Sequence, residues 1–396
     1  MDSEAQTSPL EVLAPDIALA LAGAFGHAVR LAKMEPLGGS SRSHVARCRI
    51  LDAPEGVPAS VVVKQAKGDD DGPFNPDVAP PSSPAWRFYN DWVGAQLLTE
   101  VCPRAQVGPR FLGGHRSLGF IILEDLGEGE SLADVLLGDS SGRARDALMA
   151  FAAALGRMHS ATVGREDDCR RLRDALTPPL PKEAAPAPAP YSQFREACGS
   201  LGVALPSEAE KALEAVAASM SEPGPFLAYT HGDPCPDNTR LLDGGLRLID
   251  FEFGAYRHAL LDGVYGRLPF PTCWCANRLP SEIPSRMEAA YRAELVKGCP
   301  EASADALFLR AVVEATAHWT CNTTGWHLPG ALEGDHEWGV STMRQRVLLR
   351  LDNLAVLTEE SGHLEPLGAG ARAMAQRLRA VWPADIVEMP LYPAFR

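Results

Sequence analysis

The chain has 396 residues, more than one hydrophobic core usually serves, so two domains are expected. A hydrophobic content of 46% and a charged content of 22% fit an ordinary folded protein and exclude chain-wide disorder. A formal net charge of -14 excludes the basic footprint of a nucleic-acid binder, and is compatible with a cationic substrate or with simple solubility.

Met1–Glu11 is acidic and polar, without the basic region and apolar core of an export signal. Ile17–Phe25 is too short to span a bilayer and is expected to pack as a helix. No membrane segment is expected. Nine cysteines show no disulfide-framework spacing, which implies reduced thiols and a cytoplasmic setting.

Strands are predicted over Val29–Leu37, His44–Leu51 and Ala59–Ala66, an antiparallel meander. Between the first two lies Gly38-Gly39-Ser40-Ser41-Arg42-Ser43, which reads either as a plain hairpin loop or as a loop bringing backbone amides to phosphate oxygens. Lys64 closes the apolar run Val61-Val62-Val63, where a lysine either snorkels to water or serves a phosphate. Asp69–Pro84 is polar and proline-rich, a surface loop, and a helix follows over about Ala85–Val101. Phe111–Leu126 reads as two more strands, ending in Glu124-Asp125-Leu126.

Helices then dominate. Ser131 begins one, and Ala144–Ser160 carries Leu148, Phe151, Leu155, Met158 and His159 on a buried stripe, with His159 packed rather than catalytic. The proline-rich Leu176–Pro190 reads as an extended crossing.

Next comes His231-Gly232-Asp233, with Asn238 five residues beyond Asp233, and then two short apolar runs, Thr239–Leu242 and Leu246–Asp250, around Asp243-Gly244-Gly245. A three-residue hairpin loop would set Leu242 opposite Leu246 and Asn238 opposite Asp250, with Cβ atoms roughly 5 Å apart, close enough to share a cation. A register slip of one residue would send the two side chains to opposite faces. Cys273 and Cys275 form a lone C-x-C, read as buried or loop thiols rather than metal ligands. Beyond Glu282 the pattern is helical, with breaks near Gly298-Cys299-Pro300 and Asn322–Gly334. Glu314 and His318 share a helix face, as a surface ion pair or as part of an acceptor pocket with Trp319 and Trp326.

The pattern His231-Gly232-Asp233-x-x-x-x-Asn238, followed by a strand and Ile249-Asp250-Phe251-Glu252, resembles the signature of the aminoglycoside phosphotransferase and choline kinase superfamily. The resemblance implies an α+β, protein-kinase-like bilobal fold: an antiparallel sheet plus helix over residues 1–126, and a mostly helical lobe with the catalytic hairpin over residues 127–396. It implies a phosphotransferase using ATP or GTP with Mg2+ on a hydroxyl of a small molecule such as an aminoglycoside, sugar or amino alcohol. Asp233 would be the base, with Asn238 and Asp250 as metal ligands. Lys64, and Gly38, Gly39, Ser40 and Ser41, would meet the phosphates. Asp91 would pair with Lys64 in place of the family's usual Glu, with Glu100 as the other candidate, and the backbone at Glu124 and Leu126 would meet the adenine edge. Glu252 and Asp262 would brace the catalytic loop. Two other readings stand beside this one: a nucleotide-binding regulatory protein without turnover, prompted by Asp91, and a metal hydrolase using His231, Asp233 and Asp250.

Overall fold

Sequence alternation sorts the sheet residues onto two faces, and the helices cover each face according to what it offers. The computed structural model describes residues 8–53, 55–69, 72–103, 106–176, 189–382 and 386–396. The expected features at Asp70, Asp71, residues 1–7 and most of the proline-rich crossing, 177–188, lie outside them. The class is α+β, as expected, and the chain divides into two compact units. The first comprises Met1–Gly129, Arg165–Glu183 and Arg247–Ala255; the second comprises Glu130–Gly164, Ala184–Leu246 and Tyr256–Arg396.

The first unit holds six antiparallel strands: β1 (Arg30–Leu31), β2 (Glu35–Ser40), β3 (Ser43–Leu51), β4 (Ser60–Ala66), β5 (Phe111–His115) and β6 (Phe120–Glu124). Their order is β1-β3-β4-β6-β5, with β2 also on β3. The predicted first strand is thus two short ones, each laid on a different part of β3. On one face Val61, Val63, Phe120 and Ile122 pack with Ile17 and Leu21 of helix Ala14–Phe25. On the other, Ile121 and Leu123 pack with Phe88, Tyr89 and Ala95 of helix Pro84–Val101. Lys64 lies opposite Ile121 in the ladder and so belongs to this second face. Ser83 caps that helix by accepting from Trp86 N (3.2 Å), and Pro84 opens its first turn.

The second unit is mostly helical. Helices Ser141–Thr162 and Ile283–Leu295 pack closely because Gly156 gives way to Tyr291, where a Cβ would sit 2.4 Å from its carbonyl oxygen. Gly298 does the same against the Ser160 carbonyl. Ser131 caps helix Leu132–Leu137 with a reciprocal bond from Asp134. The break expected at Asn322 is absent: helix Asp305–Glu333 runs on through Pro329 to Gly334. Buried Thr323, Thr324, Leu328 and Ala331 on that stretch outweigh the local propensity of Asn, Gly and Pro. Among the described residues no helix is long and apolar enough to cross a membrane.

Candidate active site

In the first unit, the second-face position of Lys64 sets its ammonium against helix Pro84–Val101. Lys64 Nζ lies 2.7 Å from Asp91 Oδ2 and 2.6 Å from Asp250 Oδ1. The shorter Asp side chain therefore reaches the strand lysine without help from Glu100, which instead meets Gln96 and Arg171 at the surface. Asp91 also accepts the Phe251 amide through Oδ1 (2.9 Å), so one buried carboxylate fixes both the lysine and the backbone beside Asp250. Against burial, which favours the neutral amine, Asp250 and Asp91 hold the Lys64 ammonium well above the ordinary lysine value. Burial, despite Lys64 and with help from the charge of Asp250, pushes the Asp91 carboxyl upward.

Asp250 is reached by a kink rather than by strand alternation. The hairpin strands are Thr239–Leu242 and Gly245–Leu248, joined by the two-residue turn Asp243–Gly244, one residue shorter than expected. Strand structure ends at Leu248, and Asp250 takes φ 69, a left-handed conformation rare for a non-glycine residue. Gly245 thus belongs to the strand, whereas the expected three-residue loop had included it. Beyond the kink, Glu252 pairs with Arg42 (2.8 Å) and lies 3.8 Å from Arg87, and its carbonyl accepts from Asn90 (3.0 Å). Burial and the charge of Asp250 raise the Glu252 carboxyl. Arg42, Lys64, Arg87, Asp91 and Glu252 line a small cavity together with Phe88 and Ile121.

Gly38–Ser43 is less a loop than a tight hairpin. β2 runs to Ser40 and β3 starts at Ser43, with Gly39 opposite His44 and Ser40 opposite Ser43, leaving Ser41 and Arg42 as the turn. Gly38 takes φ 90 where the register shifts, a conformation that asks for glycine. Glu124 ends β6 with its amide donated to the Arg110 carbonyl (2.8 Å), and Leu126 follows two residues later. Asp125, overlooked in the sequence, anchors this segment. It accepts from Arg47 (2.7 Å), Ser60 (2.6 Å) and the Gly127 amide (2.9 Å), which outweigh burial and lower its carboxyl.

In the second unit the His231–Asn238 loop hangs on Asp262, which is fully buried. Its carboxylate accepts the amides of His231 (2.6 Å) and Gly232 (3.2 Å), and His159 Nε2 lies 3.3 Å away. Despite burial, the bond from His159 and neighbouring positive charge lower the Asp262 carboxyl. A carboxylate only accepts, so His159 donates through Nε2, and its Nδ1 accepts from Tyr291 Oη (2.8 Å). Asn238 closes the loop by donating through Nδ2 to the Asp233 carbonyl (3.0 Å), a bond that does not engage its amide oxygen. In the first unit the Asp250 side chain is 34% exposed; carboxylate and amide oxygens are hard donors of the kind Mg2+ prefers.

Thr272 Oγ1 donates to Asp233 Oδ1 (2.5 Å) and lies 3.1 Å from Tyr265 Oη. The expectation of nine reduced thiols is corrected here: Cys235 and Cys273 form a disulfide across 38 residues of sequence, and seven cysteines are free. No spacing rule links these two; folding alone brings them together. Among the described residues, Asp233, Cys235 and Cys273 are also close enough to suggest a metal site, but the sulfur–sulfur bond leaves no thiolate to bind one. Glu314 and His318 do not pair with each other. Glu314 is buried and accepts from Ser219, Arg310 and His363, whereas His318 meets Tyr191 and Asn322.

The model of the phosphotransferase enzyme family matches residues 78–295, more than half of the chain. No curated protein matches it. Among solved structures, it is similar to a choline kinase from Streptococcus pneumoniae (13% identity, 86% of this chain and 98% of that one, TM-score 0.42). It is also similar to a choline kinase from Cryptosporidium parvum (12%, 87% and 93%, TM-score 0.46) and to a putative aminoglycoside phosphotransferase from Ralstonia eutropha (11%, 95% and 100%, TM-score 0.45).

Proposed function

Since the chain belongs to the phosphotransferase enzyme family, we propose that it transfers the γ-phosphate of ATP to a hydroxyl of a small molecule, with GTP as the other candidate donor. The observation that carries this reading is the Lys64 ammonium held between a helix carboxylate, Asp91, and Asp250. A phosphate oxygen can take over the contact that Lys64 makes with Asp250, while Asp91 keeps the lysine aimed. The turn at Ser41, with Gly38, Gly39 and Ser40 before it, would offer backbone amides to the phosphates, and the backbone at Glu124 and Leu126 would take the adenine edge.

Asp233 would orient the acceptor hydroxyl and accept its proton as the phosphorus–oxygen bond forms. Asn238 and Asp250 would hold Mg2+, which when bound neutralises charge on the phosphates. Aminoglycosides, sugars and amino alcohols are the acceptor classes to test first, and a cytoplasmic setting is supported by the seven free thiols. The non-catalytic reading rested on Asp91 in place of Glu; the 2.7 Å contact of Asp91 with Lys64 supports the catalytic one.

The test is a phosphate-transfer screen of hydroxylated metabolites and antibiotics with Mg2+ and each nucleotide, repeated on Asp233→Asn. Expected is transfer that falls at least ~10³-fold in the variant while nucleotide binding persists. Unchanged turnover in Asp233→Asn would overturn the assignment.

A further inference from the structure

The second unit carries a disulfide where a phosphotransferase base is proposed. Cys235 is two residues past Asp233, and its sulfur lies 3.2 Å from Asp233 Oδ1. That sulfur has no proton to donate, so the approach is a packing contact. Cys273 follows Thr272, whose hydroxyl donates to the same oxygen at 2.5 Å. The covalent bond and the hydrogen bond therefore run side by side between the same two segments.

The Thr272 segment is rigid on its own account. Arg346 donates to the carbonyls of Cys273 (2.6 Å) and Trp274 (2.9 Å), and Arg350 donates to that of Pro271 (2.7 Å). Both arginines belong to helix Met343–Ser361 and are almost fully buried. The Asp233–Asn238 side is held by turn bonds such as Cys235 N to Asp233 O (2.7 Å) and Asn238 N to Cys235 O (2.9 Å), and Trp274 Nε1 donates across to Asp237 Oδ2 (2.8 Å). Opening the disulfide would remove the covalent tie two residues from Asp233, while Arg346 and Arg350 keep the Thr272 segment in place.

We propose that the Cys235–Cys273 disulfide is a reversible brace on Asp233: closed, it holds the base against Thr272, and reduction by a dithiol releases the base and slows phosphate transfer. This rests on the phosphotransferase reading above. A thiolate of the dithiol attacks Cys235 Sγ, the more exposed of the two buried sulfurs, and Cys273 departs as the thiolate. The second thiol of the reductant then attacks the mixed disulfide and frees Cys235. The reductant ends as its own disulfide, and the two cysteines take up two electrons and two protons.

The remaining cysteines make the pair stand out. A single disulfide beside seven free, buried thiols is the pattern of a redox-responsive bond rather than of a disulfide-built fold. Cys275, two residues from Cys273, is a poor rival nucleophile because burial pushes its thiol up to about 12. A dithiol thus has one bond to break among the nine cysteines.

The experiment compares the full chain after mild oxidation and after dithiol treatment, with differential alkylation and mass spectrometry to score each cysteine. Expected are a native disulfide that opens with the dithiol, and hydrogen exchange that rises at the Cys235 and Asn238 amides but little across 271–276. With an acceptor in hand, reduction should lower kcat ~10–100-fold at unchanged nucleotide KM, reversibly on reoxidation. Thr272→Val should reproduce that loss in the oxidised state and Thr272→Ser should restore it, while a Cys235→Ser/Cys273→Ser double variant should ignore the dithiol. The brace is overturned if the two cysteines are thiols after oxidation, if the bond resists the dithiol, or if exchange is equal in both states. If exchange changes as expected but no acceptor is phosphorylated in either state, the brace stands and the phosphotransferase reading fails.

Discussion

Replacing Asp262 by Asn tests the support of the His231–Asn238 loop with almost no change in shape. The carboxylate takes two bonds on Oδ2, from the His231 amide and His159, and one on Oδ1 from the Gly232 amide. An Asn keeps the better pair only by turning its own NH2 against the Gly232 N–H. That leaves one buried donor unmatched, at about 2 kcal/mol, and converts two charge-assisted bonds to neutral ones, at about 1 kcal/mol together. The expected cost is about 3 kcal/mol in urea unfolding, with kcat for phosphate transfer down ~10²-fold and nucleotide affinity nearly unchanged. Because the folded carboxyl sits below its unfolded value of about 3.9, the wild-type contribution is complete above that pH and disappears as pH falls through the lower folded value. The gap between wild type and variant should close at strongly acid pH. A stability loss under ~1 kcal/mol with full turnover would refute the view that Asp262 carries the loop.

Asp91→Asn should destabilise by about 2–3 kcal/mol, less than breaking an isolated buried pair because Lys64 retains Asp250, and should weaken nucleotide binding ~10-fold by calorimetry. His258, His318 and His327 are all pushed down to about 4 by burial, against about 6.5 when unfolded. Stability from these neutral histidines is full above pH 6.5 and is lost as pH falls toward 4, so calorimetric unfolding near pH 5 should take up close to three protons, and uptake near zero would contradict their burial. Gly298→Ala would place a Cβ 1.9 Å from the Ser160 carbonyl oxygen and should cost about 3 kcal/mol by thermal unfolding. Gly142→Ala, with nothing within 4 Å, should be neutral or stabilising.

Motif spacing made much of this chain legible. The family resemblance paired Lys64 with Asp91 of the following helix, and helix Pro84–Val101 fell within a residue of its expected start. Where the reading slipped, longer-range contacts or backbone geometry decided. Asp250 owes its direction to a left-handed φ that alternation cannot encode, and the hairpin turn lost a residue because Gly245 served as strand rather than loop. The Cys235–Cys273 bond, the Thr272–Asp233 bond and the two buried arginines join segments far apart in sequence, where no local pattern marks them. Asp125 was legible only as a polar residue after a strand, since its partners Arg47 and Ser60 lie on two other strands.

The charges around Lys64 carry a consequence for solution behaviour. Lys64, Arg42 and Arg87 stand against Asp91, Asp250 and Glu252, three positive groups facing three negative ones. The pocket brings its own counter-ions, and a polyphosphate entering with its cation would trade partners with them, adding only the charge its cation leaves over. Few small ions from the buffer need be released in that exchange, so nucleotide affinity should vary only gently with ionic strength, even though the ligand is among the most highly charged small molecules a protein meets.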